Sequence, residues 1–131
     1  MIHVAPPLIT ISWLILASPL CAAASAAPMK ADVLVERCEG YLRLAAGDLS
    51  DDQYGRVPEL GACVGYLQAV VDTTVPDSKT GKLPYCVSDT LTYLKLAEDF
   101  VTEARQHPKQ LAELQAPDLV RFILGVLYSC K

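Results

Sequence analysis

Residues 58–72 read PELGACVGYLQAVVD, and this stretch predicts the central helix of a small bundle. Its large apolar side chains recur at three- and four-residue steps, the spacing of one helix face: Leu60, Val64, Leu67 and Val71. Gly61, Gly65 and Ala69 form a second stripe that has almost no side chains. Because glycine inside a helix costs about 1 kcal/mol relative to alanine, we expect another helix or chain to contact this stripe closely.

The residues before the central helix predict a first helix over Ala31 to Ala46. Its apolar stripe consists of Leu34, Cys38, Leu42 and Ala45. Gly47 is a suitable stop, and the polar run from Asp48 to Val57 predicts a loop. Pro58 then begins the central helix, since the first helical position needs no backbone N–H.

A long connection is predicted after the central helix, over Thr73 to Tyr85, because this stretch holds two prolines and a glycine. Loops of this length often carry function, although a plain surface connection stays open as the alternative. Ser88 is the expected N-cap of the third helix, which continues to about Gln106. The side chains that it is expected to bury are Leu91, Leu94, Ala97, Val101 and Ala104.

The C-terminal part predicts two further helical segments. His107 and Pro108 end the third helix, and Leu111 with Leu114 indicates a short helical turn. The last helix, Asp118 to Cys130, is apolar nearly all round, so we expect it to be buried on most sides or to form a dimer interface. The predicted fold is an all-α, disulfide-linked bundle of four to five helices.

The N-terminus has the composition of a secretory signal. Residues 4–27 carry no charged side chain, and an apolar run over 8–16 precedes a tract of small residues. We expect a signal peptide over residues 1–26, cleaved after Ala26, and a helical domain over 27–131. An uncleaved membrane anchor is the alternative, although the apolar core is short for a span. Cys21 follows Leu20 instead of a small residue, which disfavours lipid attachment.

Removing the signal leaves an even set of cysteines, which predicts two disulfides in an exported chain: Cys38, Cys63, Cys86 and Cys130. If the helices alternate up and down, the third helix starts where the last one ends, which favours Cys86 with Cys130. Cys38 and Cys63 lie on successive helices and can face each other. Each bridge would contribute about 3 to 4 kcal/mol by chain entropy. No C-x-x-C spacing occurs, so neither a metal nor a cofactor is expected.

Charge and residue inventory favour a binding protein. With 11 basic and 15 acidic residues, the net charge of −4 argues against nucleic acid and leaves a basic protein surface as a partner. The sequence has no phosphate-binding glycine loop between a strand and a helix. One enzymatic alternative stays open, in which His107 acts with Asp118 or with a free cysteine.

Several short motifs follow one another along the chain: Cys63-Val64-Gly65-Tyr66, Asp72, Tyr85-Cys86, His107-Pro108 and Cys130. Taken together, they resemble those of the Rap/Tai family of bacterial immunity proteins, over roughly Val33 to the C-terminus. The resemblance implies an exported, helical, disulfide-linked protein, commonly a homodimer, that performs no catalysis. It implies a periplasmic partner, a type VI secretion amidase of the Cys-His type that cleaves peptidoglycan and whose cleft the immunity protein blocks.

Contacts with the toxin are expected on the loop between the second and third helices. The candidate residues are Val75, Pro76, Asp77, Ser78, Lys79 and Leu83, with Glu98, Asp99 and Glu103 as a charged rim. A specific interface needs about 800 Å² per partner, so a neighbouring helix face must take part. The alternative function is a periplasmic chaperone-like or stress protein of the same fold, whose apolar last helix binds unfolded clients.

Overall fold

Five helices form a bundle in this computed structural model, which describes residues 27–48, 50, 55 and 57–131. They are α1 (Ala31–Ala45), α2 (Val57–Asp72), α3 (Tyr93–Gln106), α4 (Pro108–Glu113) and α5 (Ala116–Leu127). Within those ranges there is no strand, only an isolated bridge between Lys30 and Gln115. The predicted all-α fold is confirmed. The predicted signal peptide and most of the predicted loop over 48–57 lie outside the described residues.

The end of α1 follows the glycine stop that the sequence predicts. Gly47 adopts a left-handed φ of 73°, and its N–H donates to the Leu44 carbonyl at 3.0 Å. The next N–H, of Asp48, donates to the Arg43 carbonyl at 2.9 Å. This pair of bonds is the Schellman arrangement, and it satisfies carbonyls that the helix end would otherwise leave free.

The close approach between α1 and α2 lies at Gly40, and not at the glycines of α2. A side-chain carbon added at Gly40 would overlap Leu60, whereas no atom of the described residues lies within 4 Å of a carbon added at Gly61 or Gly65. The expectation that another helix of this chain packs on the Gly61 stripe is therefore wrong. The reason is rotation, because the buried face of α2 consists of Leu60, Cys63, Leu67 and Val70, which leaves both glycines exposed.

The third helix begins four residues later than predicted. Thr92, and not Ser88, is its N-cap, and the Thr92 side chain accepts from the Lys95 N–H at 3.2 Å. Ser88 instead lies in a turn that the Leu91 N–H closes on the Ser88 carbonyl at 3.0 Å. The Cys86 N–H donates to the Tyr128 carbonyl at 2.7 Å. Because that bond holds the chain beside the end of α5, the helix starts only after the turn.

The later start shifts the buried face of α3. Leu94, predicted to be buried, is 40% exposed, and Leu91 and Val101 are only partly buried. Ala97 and Ala104 are buried as predicted. The full inward set is Leu96, Ala97, Phe100 and Ala104, which keeps the three- and four-residue spacing of one helix face.

The last helix is shifted relative to the prediction over Asp118 to Cys130. It starts at Ala116 and ends at Leu127, so Cys130 lies beyond it. Only one face is buried, by Ala116, Leu119, Val120, Ile123 and Leu124. Val126 is 48% exposed, and the expectation of burial on most sides within the chain is wrong. The short helical turn predicted around Leu111 is present as α4.

A single core joins α1, α2, α3 and α5. Its largest fully buried side chains include Phe100, Leu34, Leu67, Leu119, Ile123 and Leu124. No charged or polar residue is buried in the part of the chain that the structure describes. Tyr85 is 3% exposed and belongs to the same core although it lies in the loop between α2 and α3. The loop is therefore fastened to the bundle near its C-terminal end.

Candidate partner-binding surface

The first residues after α2 hold the start of the loop against the helix end. The Thr73 hydroxyl donates to the Ala69 carbonyl at 2.6 Å, and the Thr74 hydroxyl donates to the Val70 carbonyl at 2.7 Å. The buried Tyr85 hydroxyl donates to the same Val70 carbonyl at 3.3 Å and also bonds Thr74. The two ends of the loop thus meet at the last turn of α2.

A second set of contacts fixes the end of the loop to α3 and α5. Cys86 is bridged to Cys130, with their Cα atoms 5.0 Å apart. The Tyr128 hydroxyl donates to Asp99 Oδ2 at 2.8 Å, and Lys95 Nζ donates to Asp99 Oδ1 at 2.6 Å. Burial and the bond to Asp99 raise the pKa of Tyr128. Burial alone would raise the pKa of Asp99, but the bonds from Lys95 and Tyr128 lower it.

The tip of the loop is closed by hydrogen bonds that converge on Asp77. The Asp77 N–H donates to the Lys82 carbonyl at 2.9 Å, and the Gly81 N–H donates to the Asp77 carbonyl at 2.8 Å. Asp77 Oδ1 accepts from the N–H groups of Lys79 at 2.9 Å and Thr80 at 2.8 Å. These bonds, above all those from Thr80, lower the pKa of Asp77. Gly81 has a φ of 64°, a conformation that glycine adopts without strain.

All six predicted loop contacts lie on the surface: Val75, Pro76, Asp77, Ser78, Lys79 and Leu83. Val75 is 74% exposed and Leu83 is 43% exposed, so two large apolar side chains project into solvent from one short segment. Single exposed apolar residues are common on protein surfaces, so the place of Val75 and Leu83 on one anchored loop is what makes them candidate contacts.

The three predicted rim acids have different surroundings. Glu98 is exposed, while Asp99 is bonded to Tyr128 at the end of the loop. Glu103 Oε1 lies 2.9 Å from His107 Nε2 at the junction of α3 and α4. The structure thus brings Asp99 to the loop and directs Glu103 to a different neighbour.

The enzymatic alternative paired His107 with Asp118 or with a free cysteine. The His107 ring contacts Glu103 and lies edge-on to Phe122, with ring centroids 5.0 Å apart. Asp118 bonds Arg121 at 3.4 Å instead. The four cysteines of the described chain are all joined in disulfides. His107 ends α3 as predicted, and these contacts make it a half-buried link between helices.

Sequence reasoning missed a partly apolar surface beside the loop. Three shallow depressions follow one another there and share walls. Val71 and Val87 border the first and second, and Leu83 and Cys86 border the second and third. Tyr93, 49% exposed, lines the first. We call the three depressions together with residues 73–86 the loop face. The sequence signal that was missed is Thr92. Identifying Thr92 as the N-cap would have placed Tyr93 in the exposed first turn of α3.

Two further properties of the described residues concern metal binding and membrane insertion. Among the residues that the structure describes, no group of three or more His, Cys, Asp and Glu side chains could hold a metal ion. In the same residues, every helix is too short or too polar to cross a bilayer.

Residues 30–130 match the family model of Rap1a immunity proteins. The match spans all five helices, both disulfides and the loop at residues 73–86. No curated protein and no solved structure matches the chain. The resemblance to Rap/Tai immunity proteins that the motifs indicated is confirmed, and the chain belongs to the Rap1a immunity protein family.

Proposed function

We propose that this chain is a periplasmic immunity protein that binds and occludes a type VI secretion peptidoglycan amidase, protecting the producing cell. The observation that carries the proposal is the anchored loop, from which Val75 projects with 74% of its surface exposed, in a member of an immunity family. Such a protein acts by fitting onto its partner and performs no catalysis of its own.

The anchoring of the loop supports inhibition by occlusion. Tyr85 and the Cys86–Cys130 bridge fix the loop on the bundle before any partner arrives. A preformed loop loses less conformational entropy on binding than a flexible one, so more of the contact energy remains as affinity. The remaining area that a specific interface needs, about 800 Å² per partner, can come from the depressions of the loop face.

The proposed compartment rests on the cysteines. Two disulfides join all four cysteines of the described chain, and structural disulfides persist in oxidising compartments such as the periplasm. The apolar, uncharged N-terminal segment that precedes residue 27 fits export to the same place.

The test is co-expression with the amidase encoded beside this gene, with both proteins exported. We expect the wild type to restore growth and to form an isolable complex, and Val75→Asp to lose both. The matched control is Val33→Asp, because Val33 is an exposed valine on α1, and it should protect like the wild type. A toxin that still kills in the presence of the wild-type protein, with no complex formed, would refute the pairing.

A homodimer is part of the proposal, since family resemblance implies one and two exposed surfaces could form it. These surfaces are the end of α5, with Val126 48% exposed, and the open stripe at Gly61 and Gly65. Sedimentation of the wild type, Val126→Asp and Gly65→Asp would identify which surface, if either, holds the two copies together.

The alternative is a chaperone-like or stress protein, and the exposed end of α5 is the observation that favours it. Val126 and Leu127, 48% and 36% exposed, could bind unfolded clients. This function predicts suppressed aggregation of several unrelated proteins and loss of that effect in Val126→Asp. Binding restricted to one amidase would exclude it.

A further inference from the structure

The loop has a charge opposite to that of the rest of the protein. Residues 73–85 contain Lys79, Lys82 and Asp77, a net charge of +1, while the whole chain has −4, so the remainder has −5. Both lysines are exposed. No ion pair within the described chain engages either of them.

The one acid of the loop is held by the backbone of the tip. Asp77 Oδ1 is turned into the loop, where it accepts from the N–H groups of Lys79 and Thr80 at 2.9 and 2.8 Å. With the two backbone bonds between Asp77 and the Gly81–Lys82 pair, this carboxylate closes the tip into one shape. The tip therefore carries two exposed lysines and one carboxylate that is fixed by backbone N–H groups, which leaves a net charge of +1.

We infer that the loop tip is a preformed basic projection that fits a carboxylate-lined recess of the partner, with Lys79 and Lys82 as specificity-determining contacts and Asp77 as a positioning residue. The inference rests on the proposed function and specifies the chemistry of the surface that the amidase must offer. Since the rest of the chain has a charge of −5, the recess must be local, because a uniformly acidic partner would be repelled.

Charge reversal at the tip tests the contacts. The variant Lys79→Glu/Lys82→Glu is compared with Lys30→Glu/Lys109→Glu, which alters net charge equally at two exposed lysines outside the loop. Association with the purified amidase is measured at low and high salt. We expect the tip variant to raise Kd by about tenfold or more, mainly through a slower on-rate, with a smaller gap at high salt. The control should bind like the wild type.

The outcomes separate the inference from the proposed function. Equal weakening in both double variants would show that only net charge matters and would overturn the basic projection, as would an unchanged Kd in the tip variant. A wild-type protein that binds no peptidoglycan amidase would overturn the proposed function itself.

The role of Asp77 is tested by comparing Asp77→Asn with Asp77→Ala. The amide oxygen of asparagine can still accept both N–H bonds, whereas alanine cannot. A positioning residue predicts near wild-type or tighter binding for Asp77→Asn and weaker binding for Asp77→Ala, with unfolding midpoints unchanged because the tip is exposed. If both variants lose affinity equally, Asp77 is a charged contact and the positioning role is wrong.

Discussion

The two disulfides lie in contrasting parts of the molecule. Cys38 and Cys63 are fully buried where α1 packs on α2, with Cα atoms 4.9 Å apart. Cys86 and Cys130 are exposed and join the end of the loop to the residues after α5. The first bridge thus belongs to the core, and the second holds the loop face in place.

Chain entropy alone predicts similar contributions to stability from the two bridges. The sequence separations of 25 and 44 residues correspond to about 3.5 and about 4 kcal/mol, respectively, in the loop-closure model. The model slightly favours the exposed bridge. If removing the buried bridge costs more stability than removing the exposed one, packing is therefore the cause of the difference. If removing the exposed bridge weakens binding, the placement of the loop is the cause.

The largest expected effect is that of Cys38→Ala/Cys63→Ala. Loss of the chain-entropy contribution alone should lower the free energy of unfolding by about 3.5 kcal/mol. The void left by two buried sulfur atoms should lower it further. Urea unfolding followed by far-UV circular dichroism measures the change. Partner binding should fall only as far as the unfolded population rises. A loss smaller than that of the other bridge would show that packing around Cys38 adds little.

The next effect is that of Cys86→Ser/Cys130→Ser. We expect a loss of about 2 kcal/mol, below the chain-entropy figure, because the freed loop and C-terminus regain mobility in the folded state. Binding to the amidase should weaken even where the variant is fully folded, which calorimetry at low temperature can measure. Since access governs thiol exchange, a dithiol reductant should open this bridge before Cys38–Cys63. Unchanged binding would contradict its role in placing the loop.

A glycine comparison separates the closed and open faces of the first two helices. Gly40→Val should destabilise by about 1 to 3 kcal/mol through overlap with Leu60. Gly65→Ala should stabilise by about 1 kcal/mol because open space surrounds it. Thermal unfolding measures both. A weaker dimer in Gly65→Ala, by sedimentation, would instead show that a second chain contacts this stripe.

The smallest effect concerns the bond between Tyr128 and Asp99. Tyr128→Phe should cost roughly 1 kcal/mol near neutral pH. Because the folded protein raises the pKa of Tyr128, the unfolded chain ionises first, so this stability is lost as the pH rises above about 10. Tyr128→Phe should therefore flatten the alkaline decline in stability. The matched control is Tyr93→Phe, whose exposed ring should leave the decline unchanged.

The sequence was sufficient for the features that local chemistry determines. The all-α fold, the glycine stop at Gly47 and both cysteine pairings are present in the structure. Each depends on periodicity, on the freedom of glycine or on the order of helices, and all of these can be inferred from one chain.

Tertiary constraints determined the features that the sequence missed. Ser88 has good N-cap chemistry, yet the bond from Cys86 to Tyr128 delays the helix to Thr92. Because Cys63 faces the core, α2 is rotated about its axis and Gly65 stays exposed. At the candidate site, loop exposure could be predicted from the prolines and glycine. The inward turn of the Asp77 carboxylate could not, because it depends on the closed backbone of the tip.

Among the cysteines of the described chain, consecutive ones pair, and neither closed loop encloses or crosses the other. In a chain that emerges N-terminus first, Cys63 meets Cys38 before Cys86 and Cys130 have appeared. Successive oxidation in order of emergence therefore yields the native connectivity directly. A thiol oxidase suffices for this topology, without the isomerase that would reshuffle mispaired cysteines.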